Sequence, residues 1–145
     1  MVIFLQPETA NRKVLIVDDD PEMRIFLSTV LATGGFIPIV AENGTEAVNK
    51  SLVENPALII LDVMMSGKEN FYINIRQDKR FQDIPVIMLS ALSQKTLFHF
   101  QKYQSSTFGY RVSEPDAYIE KPPEAEDLIN IVNKLISPLV NPSKS

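Results

Sequence analysis

The stretch Lys13-Val14-Leu15-Ile16-Val17-Asp18-Asp19-Asp20-Pro21 sets an unbroken apolar run directly against three carboxylates and a proline. An apolar run without alternation fits a strand covered on both faces, the pattern of a parallel sheet between helices. Asp20-Pro21 then reads as an N-cap and first helical position. Met23, Phe26, Leu27, Val30 and Leu31 continue as one apolar helical stripe, ended by Gly34-Gly35.

The same grammar repeats along the chain. Leu58-Ile59-Ile60-Leu61 and Val86-Ile87-Met88-Leu89 are further continuous runs, with Phe36–Val40 a fourth strand and the short Ala117-Tyr118-Ile119 a fifth. Pro38 cannot donate to a ladder, so its strand belongs at a sheet edge. Asn43-Gly44-Thr45-Glu46 opens a second helix like a capping box, with Ala47, Val48 and Leu52 facing inward. A third helix runs from about Lys68 to Asp78, and Leu128, Ile131, Val132, Leu135 and Ile136 mark a final amphipathic one. Alternating strands and helices imply right-handed βαβ units in an α/β fold. The doubly wound five-stranded parallel order 2-1-3-4-5 places the Pro38 strand at the edge, with helices on both faces.

Composition bounds the chemistry. At 145 residues, 45% hydrophobic and 22% charged, the chain has ordinary globular composition for one domain. Its net charge of −4 gives no reason to expect nucleic-acid binding. Without cysteine there are no disulfides or thiolate metal sites, and a cytoplasmic setting is expected. The apolar opening Met1–Leu5 is too short to span a bilayer, so no membrane insertion is expected.

Position makes the polar residues informative. Asp18 and Asp19 follow the first strand, Asp62 the third, Ser90 the fourth, and Lys121 comes just after the fifth. In a parallel α/β sheet these are carboxyl ends, where ligands bind, and strands one and three flank the topological switch point. Three carboxylates that close repel one another unless a cation intervenes. Mg²⁺, a hard ion that binds through carboxylates, water and phosphate oxygens, resolves the conflict. Lys121 and Ser90 suit phosphoryl oxygens, while no Gly-rich triphosphate loop is present. What remains is attack by a carboxylate on phosphorus to give an aspartyl phosphate. Taken singly, each residue has a plainer reading: turn and N-cap for Asp18–Asp20, loop for Asp62, solvated surface for Lys121. Their joint placement at four strand ends favours a site.

These segments resemble the receiver domains of bacterial two-component response regulators, over roughly Lys13 to Ile136. The matching stretches are Lys13–Arg24, Ala41–Ala47, Leu61–Met65, Ile84–Ala91 and Tyr118–Pro122. The resemblance implies a flavodoxin-like fold with Asp62 as phosphoacceptor. It implies Mg²⁺ bound directly by Asp19 and Asp62, by Asp18 largely through water, and by the backbone carbonyl of Met64. Ser90 and Lys121 would hold the phosphoryl oxygens, and Tyr118 would be an aromatic switch following Ser90. The phosphodonor would be a histidine kinase or phosphotransfer protein, and output would run through a downstream protein partner, with a phosphorylation-dependent dimer as one form. Such a domain is not an enzyme beyond its own phosphoryl transfer and slow dephosphorylation.

The expected layout is an N-terminal extension over 1–12, a receiver domain over 13–137 and a tail over 138–145, with no output module. Met64 and Leu92, two positions beyond the acceptor and the hydroxyl residue, are apolar and should slow self-dephosphorylation. His99, the only histidine, reads as a helix-surface residue. After Asp62 the sequence continues Met65-Ser66-Gly67-Lys68-Glu69-Asn70, where receivers usually carry Met-Pro and later Asp-Gly. Ser90 and Lys121 stand 31 positions apart, and the extra length lies around 103–116. A helix, a strand and two loops need only about 20–25 residues. Two rival readings stay open. One is a receiver-like interaction module that works without phosphorylation. The other is a Mg²⁺-dependent phosphatase resembling the haloacid dehalogenases, for which Asp18–Glu22 lacks the threonine. Cobalamin or flavin binding lacks any matching loop.

Overall fold

The structure, a computed structural model, describes residues 11–65, 67–91 and 114–136, without the side chains of 68–70. Ser66, Leu92, His99, most of the 103–116 segment and both chain ends lie outside the described residues. The elements run β1 (Lys13–Val17), α1 (Pro21–Thr33), β2 (Ile37–Ala41), α2 (Gly44–Glu54), β3 (Leu58–Asp62), α3 (Lys68–Gln77), β4 (Val86–Ser90) and β5 (Ala117–Glu120). A last helix, here α4, spans Ala125–Ile136.

All strand pairs are parallel, in the order β2-β1-β3-β4-β5. Pro38 sits opposite Val14 on the edge strand, as its missing donor requires. The continuous apolar runs are explained by two cores, one on each face of the sheet. Val14, Ile16, Leu58, Ile60, Ile87 and Leu89 pack with Leu27 and Leu31 of α1 and Leu128 and Val132 of α4. Leu15, Val17, Ile59, Leu61, Val86 and Met88 face the other way, toward Ala47 of α2 and Phe71, Tyr72 and Ile75 of α3. Each such aliphatic side chain contributes about 1.5–3 kcal/mol when fully buried.

Capping follows the sequence. Asp20 accepts the Glu22 amide at 3.0 Å with Pro21 beside it, and Asn43 accepts the Glu46 amide at 2.8 Å. Glu46 returns the favour one residue earlier than a standard box, accepting from the Glu42 amide at 2.7 Å. Some inward assignments are corrected. Phe26 is exposed, because Leu27 and Leu31 centre the buried stripe and Phe26 falls at its margin. Leu52 is exposed too, and Ser51 takes the buried place on α2, its hydroxyl donating to the Ala47 carbonyl at 2.8 Å. The Pro38 strand runs one residue later than its apolar run suggested, and α3 ends at Gln77.

Candidate phosphoacceptor site

Asp62 and Ser90 are the last residues of β3 and β4, while Asp18 and Lys121 directly follow β1 and β5. Backbone bonds continue past the strand ends and hold these residues in line. The Asp18 amide donates to the Ala41 carbonyl at 3.1 Å, that of Val63 to Leu89 at 2.9 Å, and that of Lys121 to Ser90 at 2.7 Å. The peptide bond between Lys121 and Pro122 is cis.

The sheet therefore gathers its charges at one edge. Lys121 Nζ lies 3.2 Å from Asp18 Oδ2 and 3.2 Å from Asp62 Oδ1. Asp18 and Asp62 are only 1% and 3% exposed, whereas Asp19 is open to solvent. Oxygens of the three carboxylates all lie within 4.8 Å of one another. Asp18 Oδ1 accepts the Asp20 amide at 2.9 Å, and Asp62 Oδ1 accepts the Met64 amide at 3.0 Å. Among the described residues, both partners of the Asp62 carboxylate fall on Oδ1.

One ammonium faces three carboxylates, and the imbalance bears on Asp18 and on Lys121 itself. Burial raises the Asp18 carboxyl above its ordinary range, with the Asp62 charge adding to it against the Asp20 amide and Lys121. Burial alone would lower the Lys121 ammonium, yet Asp62 and Asp18 outweigh it and hold it above its usual value. Hard oxygen donors with uncompensated negative charge fit a Mg²⁺ ion, whose octahedron spans about 4.2 Å between opposite oxygens. This is the one carboxylate cluster of its kind among the described residues. A groove of about 370 Å³ lined by Val48, Ser51, Ile75, Asp78, Arg80 and Phe81 contains none of these groups.

The remaining residues singled out from the sequence are less tightly tied to the cluster. Ser90 is 1% exposed at the end of β4, one residue past Leu89, which is the register partner of Asp62. The Met64 side chain is 59% exposed, so its contact with the site runs through its backbone. Tyr118 pairs with Met88 across β4–β5 and packs against the core that holds Tyr72. Its hydroxyl is buried with no hydrogen-bond partner among the described residues. Burial, followed by the charges of Glu114 and Tyr72, pushes that phenol up to about 12.

Sequence reading passed over two arginines. Arg24 donates from Nη1 to the Asp18 carbonyl at 2.9 Å and approaches Glu42 at 3.7 Å. Arg76, its side chain 7% exposed, donates to the Gln82 and Ile84 carbonyls, the Tyr72 hydroxyl and Asp116. For Arg24 a signal existed: it lies four residues after the Asp20 cap, on the first helical turn, where side chains lean back toward the N-terminus.

Residues 14–133 match the family described as the response regulator receiver domain. The chain belongs to this family. Receiver domains of two-component response regulators also supply its relatives. It is 32% identical over 126 residues to the DNA-binding dual master transcriptional regulator RpaA of Synechocystis, covering 86% of this chain and 48% of that protein. It is 32% identical over 129 residues to the transcriptional regulatory protein ResD of Bacillus subtilis, covering 89% and 50%. The chain thus spans about half the length of these curated relatives. Among solved structures, the receiver domain of Francisella response regulator 1452 aligns with a TM-score of 0.69 at 32% identity, over 87% of this chain and 97% of that one. Chemotaxis response regulator CheY4 of Vibrio cholerae shares the fold with a TM-score of 0.71 at 24% identity, covering 87% and 99%.

Proposed function

We propose that this receiver, over 13–137, accepts a phosphoryl group on Asp62 from a histidine kinase or phosphotransfer protein and passes the signal to a downstream protein. The observation that carries this is the placement of Lys121 Nζ, 3.2 Å from each of two buried carboxylates at the sheet's carboxyl edge. With Oδ1 held by the Met64 amide and Lys121, Oδ2 of Asp62 is the nucleophile. It forms the new O–P bond as the donor's N–P bond breaks, and the electron pair leaves with the imidazole nitrogen. Lys121 then neutralises a phosphoryl oxygen in place of the carboxylate, and the Ser90 hydroxyl donates to another. Held by Asp18, Asp19, Asp62 and the Met64 carbonyl, Mg²⁺ would supply charge neutralisation for the carboxylates and phosphoryl oxygens.

Drawing Ser90 toward the phosphoryl group vacates space near Tyr118, whose unpaired hydroxyl makes its present seat costly. Phosphorylation then shifts a two-state equilibrium that a protein partner, or a second copy, reads. The acidity of the chain supports protein contact for this domain. No helix among the described residues is long and apolar enough to cross a membrane.

The test is incubation with acetyl phosphate and Mg²⁺ followed by intact-mass measurement, repeated with Asp62→Asn. One added phosphoryl group, absent from the variant, is expected. No adduct at any Mg²⁺ concentration would leave an interaction module that works without phosphorylation. Steady hydrolysis of a small phosphoester without an adduct would mean a phosphatase.

A further inference from the structure

We infer that Arg24 is a positioning residue for the acidic pocket, fixing the peptide between Asp18 and Asp19 and so aiming the exposed Asp19 carboxylate at the cation site. The inference rests on the reading of Asp18, Asp19 and Asp62 as a Mg²⁺ site.

Asp18 and Asp19 are held in different ways. Every polar group of Asp18 is engaged: its amide by Ala41, Oδ1 by the Asp20 amide, Oδ2 by Lys121 and its carbonyl by Arg24 Nη1 at 2.9 Å. The Asp19 side chain is exposed and has no hydrogen bond or ion pair among the described residues. Its carboxylate is placed by the backbone alone. That backbone is pinned on one side by the Asp20 amide bond to Asp18 Oδ1, and on the other by the carbonyl that Arg24 grips. A peptide group is planar, so fixing the Asp18 carbonyl fixes the plane from which Asp19 departs. A charged donor makes this a strong bond.

Arg24 also joins two loops. Its Nη2 lies 3.7 Å from Glu42 Oε2, and the Glu42 amide is in turn capped by Glu46 on the first turn of α2. Glu42 is largely exposed, so this second contact is weak and the carbonyl bond dominates. The guanidinium itself is well covered, its side chain 19% exposed, which suits a fixed strut better than a loose surface charge.

Charge and positioning make opposite predictions, which allows a decisive test. By Coulomb's law alone, removing a cation beside an acidic pocket should tighten binding of a divalent cation. If Arg24 works by holding the peptide, its removal should weaken binding despite that gain. Groups that orient metal ligands typically change affinity by about 10–100-fold. Titration calorimetry with magnesium chloride alone, on the whole chain, should show Arg24→Met binding Mg²⁺ about tenfold more weakly than the parent. Arg24→Lys, which keeps the charge and one donor, should recover part of the loss, and Glu42→Gln should stay within about twofold. At saturating Mg²⁺ the phosphorylation rate of Arg24→Met should approach the parent's, because the defect lies in binding.

Equal or tighter Mg²⁺ binding by a folded Arg24→Met overturns the positioning role. Should that variant fail to fold, Arg24→Lys decides: parent-like affinity at lower salt and higher alike overturns it, and a weaker affinity supports it. A parent protein that binds no Mg²⁺ overturns the metal-site reading itself, a result distinct from either variant's.

Discussion

Replacing Tyr118 with phenylalanine should make this domain more stable, and should do so by different amounts at different pH. The tyrosine hydroxyl is buried with no hydrogen-bond partner among the described residues, so folding strips its water and returns nothing. An unpaired buried polar group costs about 1–3 kcal/mol, and the lower end applies to a residue that is only partly covered. Tyr118→Phe removes that cost while keeping the ring against Met88 and the α3 core, so a gain of about 1 kcal/mol is expected near neutral pH. For a domain of this size that raises the melting midpoint by roughly 3–5 °C.

The alkaline limb supplies the second half of the test. The phenol's pKa rises from 10.0 to about 12 on folding, chiefly through burial. Because the folded value is the higher, the folded state holds this proton more tightly than the unfolded chain. Its contribution is complete below pH 10 and is lost as pH climbs through about 12. Two pH units correspond to about 2.7 kcal/mol, and solvent screening of a partly covered group reduces this to roughly 1–2 kcal/mol. Urea denaturation followed by circular dichroism at neutral pH and at about pH 11 reads both effects, with the variant's advantage widening in alkali. A variant less stable than the parent at neutral pH, or one whose advantage stays flat with pH, would refute the idea that this hydroxyl is unpaired and desolvated.

Other outcomes follow from the same contacts. Asp18→Asn should stabilise the Mg²⁺-free protein by about 1 kcal/mol, since one lysine cannot neutralise the crowded carboxylates. The same change should weaken Mg²⁺ binding by at least about tenfold in calorimetry, giving opposite signs from one substitution. Arg76→Met should cost about 2–3 kcal/mol in urea denaturation, because it removes the nearly buried donor of the Gln82 and Ile84 carbonyls and leaves Asp116 with the Val86 amide alone among the described residues. Asn55 closes α2 in a left-handed conformation with φ of 50°, so Asn55→Ala should lower stability by about 1 kcal/mol while Asn55→Gly stays near neutral. If Met64 and Leu92 shield the acyl phosphate, Met64→Gln should shorten the adduct's lifetime in a mass-resolved decay assay; an unchanged lifetime would remove Met64 from that role.

Strand order and the site's location were both legible in the amino-acid sequence, and for local reasons. Apolar runs without alternation require cover on both faces, Pro38 excludes a central strand, and Asp20-Pro21 and Asn43–Glu46 satisfy helix ends with adjacent atoms. These constraints act over a few residues and survive without knowledge of the partner surface. They also put Asp18, Asp19, Asp62, Ser90 and Lys121 at strand ends, because a parallel sheet turns sequence position into a common edge. Margins were less legible: Phe26 and Leu52 carry the right polarity and spacing yet face water, since the width of a buried stripe is set by what packs over it.

Only the tertiary structure decided how the charges share one another. Lys121 lies 103 positions from Asp18, and nothing local to either predicts that one ammonium would stand 3.2 Å from both Asp18 and Asp62. The same holds for Arg76, which ties α3 to Asp116 across 40 positions, and for the Tyr118 hydroxyl that folding buries without a partner. Sequence sets which groups reach the edge of the sheet, through short-range backbone preference and hydrophobic pattern. Distance between groups far apart in the chain, and with it the desolvation and charge that shift their protonation, exists only once the strands are laid side by side.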